Sequence, residues 1–232
     1  MSKIILLSST VSDKCRASLE KMGYTVVKLA PFDRLQEPVS THADMLLFYD
    51  GESIVTFKSY YMNNKSLFDG LGINVILAEE EPTADYPHDI LLNAVKTESG
   101  ILFSNLGYTS QKVKERAKRH IQVKQGYTAC STCKITDNAF VTSDIGLYKA
   151  YTENGIDCLY VEKEGIALPG YDVGFIGGAA CVIDGTLCFF GNAENYPEYE
   201  KIRDFVKRYN IETLCLSDEK LTDVGGGVLL NS

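Results

Sequence analysis

The sequence predicts an α/β fold: a ring of five β-β-α-β units, closed by pairing of the N- and C-terminal strands. Three observations carry this reading. Short apolar runs meet in pairs across turn residues, most clearly at Asp50-Gly51 and Asp184-Gly185, and Asp-Gly between two strand-like runs is a strong local hairpin signal. Each pair is followed by a stretch of helical periodicity and one further strand. The hairpin starts, aligned at Asp44, Asp89, Ser131, Gly178 and Gly225, recur roughly every 45 residues, a period that marks propellers and arrays. The fifth unit is split between the two chain ends, so residues 1–232 are read as a single domain.

In chain order, Lys3–Ser9 is the first strand. Ser12 caps a helix that carries Cys15, Leu19 and Met22 on one face and stops at Gly23. Tyr24–Ala30 is a strand ended by Pro31. The first full hairpin pairs His42–Tyr49 with Ile54–Phe57, and a weak helical stretch leads to the strand Asn74–Ala78. The second pairs His88–Asn93 with Ile101–Phe103, followed by a helix from about Ser110 to His120 and the strand Ile121–Lys124. In the third, Cys130–Thr136 turns into Ala139–Thr142, Ser143 caps a helix, and Cys158–Val161 is its strand. The fourth pairs Gly178–Ile183 with Thr186–Phe190. Asn195 then caps a helix with Ile202, Phe205, Val206 and Tyr209 on one face, and Thr213–Leu216 follows.

The last stretch, Leu221–Ser232, is a glycine-rich turn and one apolar strand whose natural partner is Lys3–Ser9. An open array would leave that strand as a bare sheet edge. The absence of Trp speaks against a WD-type propeller, and Leu7–Ser12 lacks the glycines of a dinucleotide-binding turn.

The net charge of −8 argues against a nucleic-acid surface, which needs clustered Lys and Arg. The one basic run, Lys112 to Lys124, alternates with Val113, Ala117 and Ile121 and reads as a solvated helix face. No apolar run reaches the ~18–20 residues that span a bilayer, and no signal-peptide pattern opens the sequence. Among the seven cysteines, Cys158, Cys181, Cys188 and Cys215 sit in apolar strand-like runs, as small buried thiols do. The expectation is a cytoplasmic protein with reduced thiols, no nucleic-acid or membrane partner and no cofactor.

The five-unit ring ending in Asp223-Val-Gly-Gly-Gly227 resembles the pentein fold of guanidino-group-modifying enzymes: deiminases, dimethylarginine hydrolases and amidinotransferases. The segments His42–Met45, Tyr86–Asn93, Gln125–Ser131 and Tyr171–Gly178 look like an uncharacterised bacterial family assigned to that fold. The resemblance covers essentially the whole chain. It implies a nucleophilic Cys shortly after the last glycines and a His in the fourth unit, since a thiolate needs a base or cation beside it. Val228–Ser232 contains no Cys, and Gly170–Ile183 contains no His.

Five hairpins converging on one axis gather their starts round one cavity, the default place for a small ligand. Asp44, Asp89, Ser131, Asp172 and Asp223 are assigned there to ligand binding, because a carboxylate matches a guanidinium through two parallel hydrogen bonds. Asp44 and Asp89 fit equally well as acceptors of backbone N–H groups at strand starts. Cys130-Ser-Thr-Cys133 has no second ligand pair, and residues three apart in a strand face opposite ways, so no metal site is predicted. His120 is read as a partner for the last carbonyls of its helix, and Gly174–Gly178 as a tight strand entry. Two functions are consistent with this. One is a small-ligand binder or interaction module, lacking the standard catalytic pair, for a small cationic, guanidino-like ligand. The other is an enzyme on a guanidino or amidino compound with a relocated site, Cys130 as nucleophile and His42 or His88 as base within about 3–4 Å.

Overall fold

The computed structural model describes residues 3–230. The chain opens with β1 (Lys3–Ser8), α1 (Asp13–Lys21) and β2 (Tyr24–Leu29). The next unit holds a one-turn helix α2 (Ala43–Leu46), the hairpin β3 (Leu47–Tyr49) and β4 (Ser53–Phe57), the short helices α3 (Lys58–Asn63) and α4 (Lys65–Asp69), and β5 (Asn74–Ala78). The third holds β6 (Val95–Lys96), β7 (Ile101–Ser104), α5 (Gln111–Lys114) and β8 (Arg119–Gln122). The fourth holds β9 (Thr132–Thr136), β10 (Ala139–Thr142), α6 (Ile145–Glu153) and β11 (Asp157–Tyr160). The fifth holds α7 (Ile176–Ala179), β12 (Ala180–Ile183), β13 (Thr186–Phe189), α8 (Tyr199–Lys207) and β14 (Glu212–Cys215), and β15 (Gly227–Leu230) ends the described chain.

These strands form five three-stranded sheets of one plan. In each, a middle strand pairs antiparallel with the strand that precedes it and parallel with the strand after its helix. The split sheet follows the same plan through the chain ends. β15 runs antiparallel to β1 from Ile4↔Leu230 to Leu7↔Gly227, and β2 lies parallel on the other side. The five-unit ring closed by the terminal strands is therefore the architecture of this protein.

Middle strands are covered on both faces, which explains why their sequences run apolar without alternation. Ile5, Leu6 and Leu7 of β1 are fully buried, as are Ala139, Phe140 and Val141 of β10. Helices fill the spaces between neighbouring sheets. Cys15 and Leu19 of α1 pack with Ile5 and Leu7 and with Cys188 and Leu216 of the preceding unit. Ile202, Phe205 and Val206 of α8 pack against Leu187, Phe189 and, beyond them, Ile135 and Val141. At the Asp184-Gly185 turn both residues take positive φ, 46° and 77°, the combination that a two-residue hairpin with native twist requires.

Several local expectations are corrected. His42–Tyr49 is not one strand: it is a helical turn followed by three strand residues. Gly174–Gly178 likewise leads into the one-turn helix α7. The helix expected to reach His120 ends at Lys114, and strand pairing with β7 takes over from Arg119. Arg116 leaves the helix to pair with Asp50 at 2.6 Å, so the basic run is divided between a turn of helix and an edge strand. His120 still meets a helix carbonyl, with Nε2 at 2.9 Å from Lys114 O, but reaches it from the strand. Ser12 caps α1 through Cys15 N at 3.2 Å as expected. The cap of α6 is Asp144, whose Oδ1 accepts from Leu147 N at 2.9 Å, in place of Ser143. Asn195 does not cap α8, because residues 194–198 form turns before it and Glu198 takes the N-cap position.

Closure makes a direct prediction. A chain ending at Val224 exposes the N–H and C=O row of β1 that β15 now covers. It is expected to aggregate or to lose its cooperative thermal transition, read by size-exclusion chromatography and a melting curve. A monomeric, cooperatively melting truncation would show that the ring does not need this latch.

Candidate functional site

The first strands of the five sheets, β3, β6, β9, β12 and β15, line a central cavity of about 470 Å³. They run from a common level, where the segments entering them converge, to the hairpin turns at the other end. Two residues before each strand stand Met45, Asn93, Cys130, Gly178 and Gly225, and these build the hub of the ring. The register corrects the sequence alignment at three points, by one residue at Asp44 and Ser131 and by four at Asp89. In the second full unit the hub residue is Asn93, four positions past Asp89, because irregular turns occupy residues 86–92 where a strand was expected.

Asn93 is the residue that sequence reading missed. Its side chain is 1% exposed and tied to the two neighbouring units. Nδ2 donates to Asp44 O at 2.9 Å and lies 3.0 Å from Cys130 Sγ and 3.3 Å from Met45 Sδ. Oδ1 accepts from Ala129 N at 2.7 Å and Cys130 N at 3.4 Å. The signal that could have found it is an amide two residues before a first strand, at the level where its counterparts are Met, Cys and Gly.

The glycines at this level are there for space. A Cβ on Gly178 would stand 1.7 Å from Asp223 Oδ1, and one on Gly177 would stand 2.3 Å from Ala129 O. Gly225 has φ +75°, and a Cβ there would meet His42 Cβ at 2.3 Å. Backbone bonds then link the segments in turn: Gly177 N to Cys130 O at 2.9 Å, Gly226 N to Gly178 O at 2.9 Å, and Asp44 N to Gly225 O at 3.2 Å.

His42, Asp44, Cys130 and Asp223 are brought to this hub. Asp223 accepts Phe175 N at 2.8 Å and Gly225 N at 2.9 Å. Asp44 differs. It lines the floor of the cavity, both of its carboxylate oxygens are buried and neither makes a hydrogen bond of ordinary geometry, although the Cys130 thiol and the N–H groups of Asp44 and Met45 stand near enough to favour the charged form. Burial raises both acids above the usual carboxylate range, and the proximity of Asp44 adds to the rise at Asp223. His42 Nδ1 lies 3.8 Å from Asp223 Oδ1, but burial holds the imidazole down to about 4. At neutral pH the imidazole is therefore uncharged, and this is a contact with Asp223 without a charged pair. Burial and the nearby Asp44 and Asp223 push the Cys130 thiol well above its usual range. Thiolate chemistry needs the opposite field.

The remaining candidates are not gathered at the hub. His88 is exposed and stands edge-on to the Tyr108 ring at 5.6 Å. Asp172 is exposed in the outer loop beside a surface hollow lined by residues 164–173 and Lys220. Ser131 is sealed, with its Oγ unpartnered. Asp89 lies one layer outward, where Tyr127 Oη donates to Oδ2 at 2.6 Å while Oδ1 stays buried and unpartnered. Tyr127 stacks between Tyr86 and Phe175 at 5.5 and 6.1 Å. Cys130 and Cys133 face different cores, the second toward Ala180 O at 3.8 Å. Among the described residues no group of three or more metal-ligating side chains assembles, and no helix is long and apolar enough to cross a membrane.

Comparison with solved structures gives the same ring. Agmatine deiminase from C. jejuni superposes with a TM-score of 0.59 at 10% identity, covering 99% of this chain and 92% of that one. DDAH from Pseudomonas aeruginosa, complexed with citrulline, superposes at 0.56 and 9% identity, over 98% and 96%. SxtG, an amidinotransferase from Microseira wollei, superposes at 0.53 and 10% identity, over 93% and 78%. At such identities the likeness establishes the pentein fold. No curated protein matches the sequence. The family described as "Family of unknown function (DUF6873)" matches residues 6–228, and this chain belongs to it.

Proposed function

We propose that this protein is a binder of a small cationic compound of the guanidino or amidino type, held at the hub by Asp44 with Asp223 behind it. The observation that carries the reading is the carboxylate of Asp44, buried and unpartnered on the floor of the central cavity. A buried, unsatisfied polar group costs about 1–3 kcal/mol, and more when charged. A fold that keeps such a group on a cavity wall keeps it for a ligand that supplies the missing donors. Because the oxygens are closed off in the free protein, burial lifts the Asp44 carboxyl to about 6. An entering cation turns the carboxyl toward the cavity and favours its ionised form, whose two oxygens match two guanidinium N–H groups. The agmatine deiminase and the amidinotransferase that share this ring support a ligand of the guanidino type. Fold alone does not transfer an activity.

Relocated thiol catalysis has less support. Cys130 sits among Asn93, Met45 and two carboxylates that oppose the thiolate, and His88 is outside the hub. A binder that works by charge is the reading favoured by the electrostatics.

Isothermal titration with guanidinium and alkylguanidines is expected to show saturable binding that Asp44→Asn weakens at least about tenfold, the loss of one charge-assisted pair. At a pH of about 6 and below, where much of Asp44 is protonated, binding releases protons, and the apparent enthalpy should vary with the ionisation heat of the buffer. Equal binding by Asp44→Asn would remove the reading.

The free protein gives an independent check. Asp44 and Asp223 are protonated more readily folded than unfolded, so their contribution to stability is full below the ordinary carboxylate pKa and is lost as pH rises through their raised values. The melting temperature is expected to rise as pH falls from neutral toward about 5. Asp44→Asn should be more stable than the parent at neutral pH, by on the order of 1 kcal/mol, and the gap should close on acidification. A melting temperature flat across that window, in both proteins, would contradict the buried-acid account.

A further inference from the structure

The ring leaves five strands at its rim, β2, β5, β8, β11 and β14, and each pairs on one side only. The outer side of such a strand presents a row of unpaired N–H and C=O groups, a template for another strand unless something blunts it. Four of the five are blunted by charge: Lys28 on β2, Arg119 on β8, Asp157 on β11 and Glu212 on β14 are all exposed. Asp157 is further covered by Arg208 and Tyr209. The fifth, β5, reads Asn74-Val-Ile-Leu-Ala78 and has no charged side chain. Val75, Ile76 and Leu77 are each partly exposed, so apolar surface shows on both faces of the strand. Among the described residues, no hydrogen bond from outside the ladder with β4 reaches the backbone of residues 74–78. Helix α3 lies beside β5, and its Met62, 60% exposed, is the most exposed large apolar side chain among the described residues.

We infer that β5 is an interface with a second copy of this chain, the two strands pairing antiparallel across a two-fold axis and joining two three-stranded sheets into one. A bare strand edge is satisfied by another strand, whose N–H and C=O groups answer it in register. A second β5 is such a strand and is already extended, so pairing costs little ordering entropy. Charge and shape also select a copy of the same strand. With the axis at Ile76, Val75 faces the partner's Leu77 and Asn74 faces the partner's Ala78, so apolar meets apolar and no charge is buried or opposed. The strand edge is about 17 Å long and the sheet with its flanking layers roughly 20 Å deep, on the order of 350 Å² per copy. Twice that, ~700 Å², lies below the ~1,000 Å² of a stable interface, so the dimer is weak and reversible.

Sedimentation of the parent from about 10 to about 1,000 μM, in about 0.15 M salt to screen the net charge of −8 on each copy, is expected to show reversible passage from one copy to two. Hydrogen exchange at the two ends of that range should find amides within residues 74–78 slowed on the order of threefold at the high end, as the free monomer is depleted. Leu77→Lys and Leu77→Glu should each stay monomeric. Their equimolar mixture should restore the dimer, because residue 77 lies diagonal to its own copy, within reach of long side chains. Leu214→Lys, at a 38% exposed position on the rim strand β14, should dimerise like the parent. If the melting curves show that the Leu77 variants do not fold, exchange in the parent decides alone. A parent that is monomeric at the highest concentration, or a dimer without slowed exchange at residues 74–78, overturns the inference. So does dimerisation that survives both folded Leu77 variants, a mixture of them that stays monomeric, or an equal loss in Leu214→Lys.

Discussion

Closing a ring with a single chain brings five segments onto one axis, and the space left there is set by backbone. The chain meets that constraint with glycine in two of the five hub positions and with an amide in a third. Gly178 and Gly225 allow close approach of Asp223 and His42. Asn93 fills the gap between three units with a donor and an acceptor that are both used. Because the hub is polar and shut off from water, every group in it must find a partner or change its protonation state. Asn93 finds partners. Asp44 does not.

The same low-dielectric setting decides the chemistry. At the hub, burial raises the carboxyls of Asp44 and Asp223 and keeps the imidazole neutral and the Cys130 thiol undissociated. At the hairpin end Asp50 and Asp137 are drawn below the ordinary range, because Arg116, Lys134 and backbone N–H groups outweigh their partial burial. One cavity therefore runs from acids that burial makes harder to ionise to acids that are paired. On the proposed reading, a cation that reaches the hub couples its binding to the protonation of those acids. That is a different use of the axis from one that needs a thiolate, and the residues after Gly227 lack the Cys such a use implies.

Relatives at about a tenth identity share the ring. At that identity the likeness lies in the order and pairing of the elements. In this chain the apolar clusters of the sheets and helices lie outward of the axis, separate from the polar residues of the hub.

The ring and its closure were legible in the sequence because they rest on local and repetitive signals. Apolar runs, Asp-Gly turns and helix stops recur at a fixed period, and an unpaired terminal strand has one natural partner. The candidate site was legible only in part. His42, Asp44, Cys130 and Asp223 lie just before first strands or in the final glycine-rich turn, so the repeat carries them to the axis. Asp89 and Asp172 were misjudged because the turns before β6 and the outer loop around Asp172 break the repeat, moving one acid outward by a layer and leaving the other in water. Asn93 was passed over because an amide at a strand entrance carries no chemistry until two other units are packed around it. The sequence by itself determined which segments pair and in what order; only the tertiary structure decided which acids are buried without partners, because desolvation depends on every neighbour at once.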